Sequence, residues 1–209
     1  LTGNVRVLGA TAYLRRLYQA LDEAGYGDRI MIDKMVGKTE VALYGLAYSI
    51  GMLVQLFISG MNSALTPWMY SKIKKGDIRS MRKVLQLLSV VVVGIAVALM
   101  LISPELVLIF GSPKYREAVY VIPPVAASVF FIFIYNILSM PQFYYEKTQF
   151  LMAASMAAAG ANVVLNFIFI RLFGYIAAGY TTLACYMLYS VGHYIVSKRI
   201  LVNEGIQEN

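Results

Sequence analysis

The chain has 209 residues, 59% of them hydrophobic and 14% charged, with a formal net charge of +7 and a mean hydropathy of +0.66. That balance excludes a soluble globular domain, which cannot keep so much apolar surface dispersed in water, and leaves no length for a separate water-soluble catalytic domain. The positive charge is not a nucleic-acid footprint, because one third of the basic residues fall in a single segment between apolar stretches, where attraction to anionic headgroups accounts for them.

In chain order, residues 5–24 read as an amphipathic helix, with Val7, Leu14, Leu17, Tyr18 and Leu21 on one face and Arg15, Arg16, Gln19, Asp22 and Glu23 on the other. Such a helix lies on a membrane surface or packs on protein. No signal peptide is visible, for want of a basic start followed by an apolar core and a cleavage site. Gly37-Lys38-Thr39 imitates the end of a phosphate-binding loop, but Ile32 stands where that loop needs its first glycine.

Five stretches without Asp, Glu, Lys or Arg follow: Val41 to Ser71, Val84 to Pro104, Ala118 to Tyr145, Thr148 to Ile170 and Leu172 to Ser197. Each exceeds the roughly 20 residues that a helix needs to cross a bilayer. Runs such as Leu87 to Leu101 are apolar in every register, so membrane strands with their period of two are excluded. The prediction is an all-α, polytopic transmembrane helix bundle with about five membrane-spanning helices, plus an N-terminal amphipathic or partial helix.

The segment Ser71 to Lys83 holds Lys72, Lys74, Lys75, Arg79, Arg82 and Lys83 against one acid, Asp77. Burying the first three lysines would cost about 8 kcal/mol, so the segment is a loop, and its charge places it in the cytoplasm. Alternation then puts Gly111 to Glu117 outside, Glu146-Lys147 inside, Arg171 to Gly174 outside and the tail with Lys198 and Arg199 inside. The same count puts everything before Val41 outside, although Arg6, Arg15, Arg16, Arg29, Lys34 and Lys38 lie there. A missing upstream span repairs the conflict, and the chain reads as a fragment.

Polar residues inside apolar spans must face other helices or a wet cavity. Gln55 and Asn62 lie on the first span, Asn136 on the third, and Asn162 and Asn166 on the fourth, where a spacing of four puts them on one face. They serve interhelical hydrogen bonding, a polar wall for a hydrophilic cargo, or both. Ala153, Ala157 and Ala161 form a stripe suited to close helix packing. His193, near the inner end of the last span, is an interfacial histidine or a proton-coupling group. Glu105, after Pro104, is a solvated helix end or a coupling carboxylate. The prolines at 67, 104, 123, 124 and 141 punctuate or hinge helices, while Trp68, Tyr70, Tyr144 and Tyr145 anchor the inner interface. The motifs HExxH, GxSxG and DxD are absent, as are Cys/His metal clusters, and Cys185 has no second cysteine to pair with. The expectation is no enzyme, no catalytic residue, no metal and no cofactor.

Asp28-Arg29-Ile30-Met31-Ile32, Val36-Gly37 and the run Val41 to Ser49 resemble the start of the second lobe of the Wzx-like polysaccharide and O-antigen flippases. So do the run Phe110 to Ala118, Asn162-Val163-Val164-Leu165-Asn166-Phe167 and the run Phe173 to Ala178, and the likeness extends over about Gly27 to Arg199. Departures are Ala42 and Ala177, where glycine is common, and Leu1 to Tyr26, which is unlike the family's apolar seventh helix.

The resemblance implies the multidrug/oligosaccharidyl-lipid/polysaccharide (MOP) exporter superfamily, with two six-helix lobes around an alternating cavity, of which this chain is the C-terminal one. It divides the chain into residues 1–40, an N-terminal amphipathic and family-like segment; 41–199, the transmembrane lobe; and 200–209, a cytoplasmic tail. It further implies a multi-pass protein of the bacterial inner membrane that flips undecaprenyl-diphosphate-linked oligosaccharide for surface polysaccharide and lipopolysaccharide synthesis. Its partners would be the lipid bilayer, an N-terminal lobe and other polysaccharide-assembly proteins, with no nucleic acid. Arg29 and Lys34 are the candidates for meeting the diphosphate, or else they snorkel at the outer interface. Asn62, Asn136, Asn162 and Asn166 are the candidates for sugar hydroxyls, with Glu105 and His193 for coupling. The competing readings are a cation-coupled drug or solute antiporter, which would want an acid inside a span, a membrane subunit of the polysaccharide pathway, and an inactive truncated lobe.

Overall fold

A computed structural model describes residues 26–205, and the amphipathic segment 5–24 lies outside the described residues. The elements are α1 (Tyr26–Met35), α2 (Lys38–Lys74), α3 (Ile78–Leu101), α4 (Ser103–Phe110), a 3-10 helix (Pro113–Tyr120), α5 (Ile122–Tyr144), α6 (Gln149–Phe173) and α7 (Ile176–Asn203). There is no strand among the described residues. The all-α bundle read from the sequence is what forms.

Five long helices stand on the five apolar stretches, and α2, α3, α5 and α6 are long and apolar enough to cross a membrane. The fifth, α7, has 28 residues but carries Thr181, Ser190, His193 and Ser197 on its buried face, which dilutes its apolar character. Boundaries shift where apolarity outlasts or falls short of the helix. Arg171, Leu172 and Phe173 still belong to α6, which ends at Gly174, and Ala118 to Tyr120 belong to the 3-10 helix. Pro104 opens α4, since its missing N–H costs nothing in a first turn.

Close approaches order the bundle. Gly51 of α2 lies against Val125 of α5, and the rings of Tyr70 and Tyr144 meet edge-on at 5.5 Å, so α2 and α5 run parallel. Gly179 of α7 sits where an added Cβ would come within 2.9 Å of Pro124. Further along, Ser190 Oγ donates to the Phe131 carbonyl at 3.1 Å and Ser197 Oγ to that of Leu138, so α7 also runs parallel to α5. The antiparallel α3 and α6 are left outermost. Only 17% of each one's apolar stretch is buried, against 56% for α5, so α5 is the core helix and the other two carry apolar faces that the rest of the bundle does not cover. Of the alanine stripe, Ala153 and Ala157 are on that exposed surface, and only Ala161 is half-buried. A spacing of four fixes a face but not what covers it.

The turns read as cytoplasmic gather at one end. Lys147, between α5 and α6, pairs with Glu204 after α7 at 2.7 Å, while Lys72 and Lys147 lie 5.7 and 5.8 Å from the ring centres of Trp68 and Tyr145. At this basic end the loop is short: Ser71 to Lys74 continue α2, and α3 resumes at Ile78. Asp77 caps α3 by accepting from the Ser80 N–H at 3.1 Å and pairs with Lys72 Nζ at 2.6 Å. The Lys72 ammonium first, and then Ser80, hold the Asp77 carboxyl well below the usual carboxylate range. A carboxyl lowered in the folded state stabilises the fold above its unfolded pKa and loses that contribution as pH falls through the folded value. The thermal stability gap between wild type and Asp77→Asn is therefore expected to be full above the ordinary carboxylate range and to narrow as pH falls through it. It should close only at pH below that range; a gap closing near pH 4 to 5 would contradict the Lys72 pairing.

Candidate functional site

The short helix α1 reads along one face as Asp28, Met31, Ile32 and Met35, the apolar spacing of a buried helix face with an acid at its head. Packing follows that spacing. Ile32 is fully buried against Leu43, Tyr44 and Ala47 of α2, and Asp28 goes down with it, only 5% exposed.

Four helices meet on this carboxylate. Tyr44 of α2 donates its hydroxyl to Asp28 Oδ2 at 2.6 Å, and Thr182 of α7 donates to the same oxygen at 3.0 Å. Asn166 of α6 donates its amide to Oδ1 at 2.6 Å. The donors are themselves tied together: Asn166 Nδ2 also reaches Asn162 Oδ1 at 3.1 Å, Asn162 Nδ2 donates to Thr182 Oγ1 at 3.1 Å, and the Thr181 hydroxyl donates to Asn166 Oδ1. A buried carboxylate survives in an apolar bundle only where such donors replace its water.

Beside this cluster a cavity of about 510 Å³ opens between α1, α2, α5, α6 and α7. Asp28, Asn162 and Thr182 belong to both the cluster and the cavity wall. Asn136, Ser139 and Ser155 add polar edges, and Tyr48, Tyr135, Tyr186 and Tyr189 add aromatic ones. Apolar lining comes from Phe143 of α5, from Leu151, Met156, Ala158, Ala159, Gly160 and Val163 of α6, and from Cys185 of α7. Among the described lining residues there is no lysine or arginine, and Asp28 is the one acid. A carboxylate held by hydroxyl and amide donors on a cavity wall is a group at which a proton can be taken up and released.

The residues singled out in the sequence scatter around this site. Asn136, Asn162 and Asn166 come together there, although Asn136 turns its amide N–H to the Ile132 carbonyl of its own helix at 2.9 Å. Asn62 is buried elsewhere on α2, with neither amide atom partnered, and is not on the cavity wall. Arg29 is half-buried, its guanidinium 5.9 Å from the ring centre of Tyr48, and Lys34 is exposed; neither lines the cavity. Glu105 is exposed in the first turn of α4.

His193 is 1% exposed towards the basic end of α7, with Nδ1 2.8 Å from Gln142 Nε2, which also donates to Ser197 Oγ at 3.0 Å. Its ring meets those of Tyr189 at 4.3 Å and Tyr135 at 6.0 Å, so it stands behind the aromatic wall rather than in the cavity.

Asp28 escapes a search confined to uncharged spans, because α1 is too short to be one. The available signal is its place on the stripe with Ile32, together with the Asn162 and Asn166 pair that meets it.

The MatE family matches residues 26–168, which contain α1 to α5 and most of α6. A protein of Haemophilus influenzae described as an uncharacterized membrane protein is 32% identical over 130 residues, covering 58% of this chain and 31% of that protein. The chain thus spans about a third of the length of the curated relative it matches. No solved structure matches. With the family covering more than half of the chain, and with the helices, buried carboxylate and cavity in place, the chain belongs to the MatE family of membrane transporters, within the MOP superfamily.

Proposed function

We propose that this chain forms one wall of an alternating-access exporter that flips lipid-linked oligosaccharide across the bacterial inner membrane for surface polysaccharide synthesis. The supporting observation is the cavity of about 510 Å³, in which amides, hydroxyls and tyrosines stand among apolar residues such as Phe143, Leu151, Met156 and Val163. A sugar chain cannot cross hydrocarbon without replacing its water, and such a wall replaces it while the polyprenyl tail stays in lipid. A second lobe would close the other side of the path. Arg29 is the candidate for the diphosphate because its guanidinium lies over the ring of Tyr48, a cavity residue, at 5.9 Å from the ring centre. Lys34, exposed near the end of α1, is the candidate for headgroups beside it. Coupling falls to Asp28 rather than to Glu105 or His193: a proton or cation arriving at its carboxylate would compete with the bonds from Tyr44, Asn166 and Thr182 and loosen α6 from α1.

One observation favours a second reading, cation-coupled antiport of a drug or other solute. The acid such a transporter needs is present, buried among α1, α2, α6 and α7. The protein is tested in a strain lacking its own flippase, with surface polysaccharide as the readout, and in a drug-sensitive strain, with cellular drug accumulation as the readout. Restored polysaccharide supports the flippase; reduced drug accumulation without it supports the antiporter, and neither, with the protein inserted in the membrane, removes both.

A further inference from the structure

We propose that the cavity is a subsite for uncharged sugar rings that excludes the diphosphate, so that the glycan and its charged head are held in different places. The inference rests on the flippase reading and names the part of the cargo that this site takes. Tyr135 of α5 lies parallel to Tyr186 of α7, with ring centres 6.1 Å apart and planes 5° apart, and Tyr189 meets Tyr135 at 4.8 Å and 62°. At that separation two parallel rings are offset, forming a stepped aromatic surface on one side of the cavity. α6 lines the same space with Ala158, Ala159 and Gly160 and touches the aromatic surface where the Ser155 and Tyr189 hydroxyls meet at 2.5 Å, while a Cβ added at Gly160 would meet nothing within 4 Å. The result is a recess with aromatic rings on one side and open room beside Gly160.

A pyranose ring has a matching shape, with axial C–H groups on its faces and hydroxyls around its rim. Its apolar face would lie on the tyrosines, while Asn136, Asn162, Ser139 and Ser155 line the same space, each already holding a protein hydrogen bond and keeping lone pairs for rim hydroxyls. A diphosphate fits badly. The described lining offers it no lysine or arginine, and Asp28 is a like charge on the same wall. Desolvating a phosphate here would leave its charge without a cationic partner, whereas an uncharged hydroxyl loses only hydrogen bonds that the wall replaces.

The test uses the full chain in lipid nanodiscs and saturation-transfer NMR, with chitotriose as the uncharged probe and inorganic pyrophosphate as the competitor. Saturation is expected to pass to the sugar ring protons and to survive an excess of pyrophosphate. Tyr135→Ala with Tyr186→Ala should weaken chitotriose binding by about tenfold, and the corresponding phenylalanine pair, which keeps both ring faces, by no more than about twofold. Gly160→Leu, which grows into open space and so spares the fold, should abolish the signal. Displacement of the sugar by pyrophosphate, equal saturation in Gly160→Leu, or no saturation in the wild type would overturn the proposal. The two readings fail separately. Sugar binding as expected without restored surface polysaccharide would sink the flippase and leave the subsite, while full restoration by the double alanine variant would sink the subsite alone.

Discussion

Asp28→Asn is expected to lower export to about a tenth of wild type or less while the protein still inserts in the membrane, a loss of about 1.4 kcal/mol or more in coupling. The substitution keeps the size of the side chain and removes its charge and one acceptor. Tyr44 and Thr182 donate to one carboxylate oxygen and Asn166 to the other, so an asparagine must point its own N–H₂ group at one set of donors. Losing charge-assisted bonds costs about 1.5 to 3 kcal/mol each, and a buried donor left without an acceptor costs about 1 to 3 kcal/mol. Folding could suffer as well as transport, so two controls separate them. Tyr44→Phe and Thr182→Val each remove one of these hydrogen bonds and leave the acid in place. If Asp28 couples transport, both controls should destabilise yet still export, and Asp28→Asn should fail even when folded, membrane-inserted protein is matched in amount to the controls. Wild-type export by Asp28→Asn would make the carboxylate a structural clasp between α1 and α6.

Gly51→Leu is expected to lower stability by overpacking the contact between α2 and α5. Gly51 is buried where α2 crosses α5, and even a Cβ there would run into the Val125 side chain. A leucine forces the helices apart or Val125 off its rotamer, a strain of about 1 to 3 kcal/mol, which for a chain of this size is a fall of roughly 2 to 12 °C in unfolding temperature. Val125→Ala should recover part of that loss, although by itself it destabilises by opening a cavity. Thermal unfolding of the two single variants and the double variant in detergent gives the coupling directly. Simple additivity would show that the two sites do not meet. The consequence reaches function, because α5 carries Tyr135, Asn136 and Ser139 to the cavity wall and a displaced α5 moves all three.

Much of the fold could be read from local composition. The charge-free runs located α2, α3, α5, α6 and α7, and the lysines at 72, 74 and 75 marked the end of the first of them. Helix ends were less legible. Leu172 and Phe173 are as apolar as the span before them, and the helix stops only at Gly174, whose φ of 76° leaves the helical region. The site was legible in part. The spacing of Asn162 and Asn166 placed both amides on one face, which is how they reach Asp28 and Thr182 together. That spacing held no information about Asn62, which shares the chemistry of the other amides but is buried away from the cavity.

The solvent of this protein and the helical class of its fold follow from sums over neighbouring residues, because each apolar or charged side chain left in the wrong medium adds its own cost. The sequence by itself therefore determined that the chain crosses a membrane as helices with its basic turns together. The place of Asp28 depended on contacts no local sum contains: its partners Asn166 and Thr182 lie 138 and 154 residues away. Only when α6 and α7 closed over α1 did an acid in a short leading helix become a buried carboxylate on the wall of a cavity, since burial belongs to the packed bundle and not to the segment.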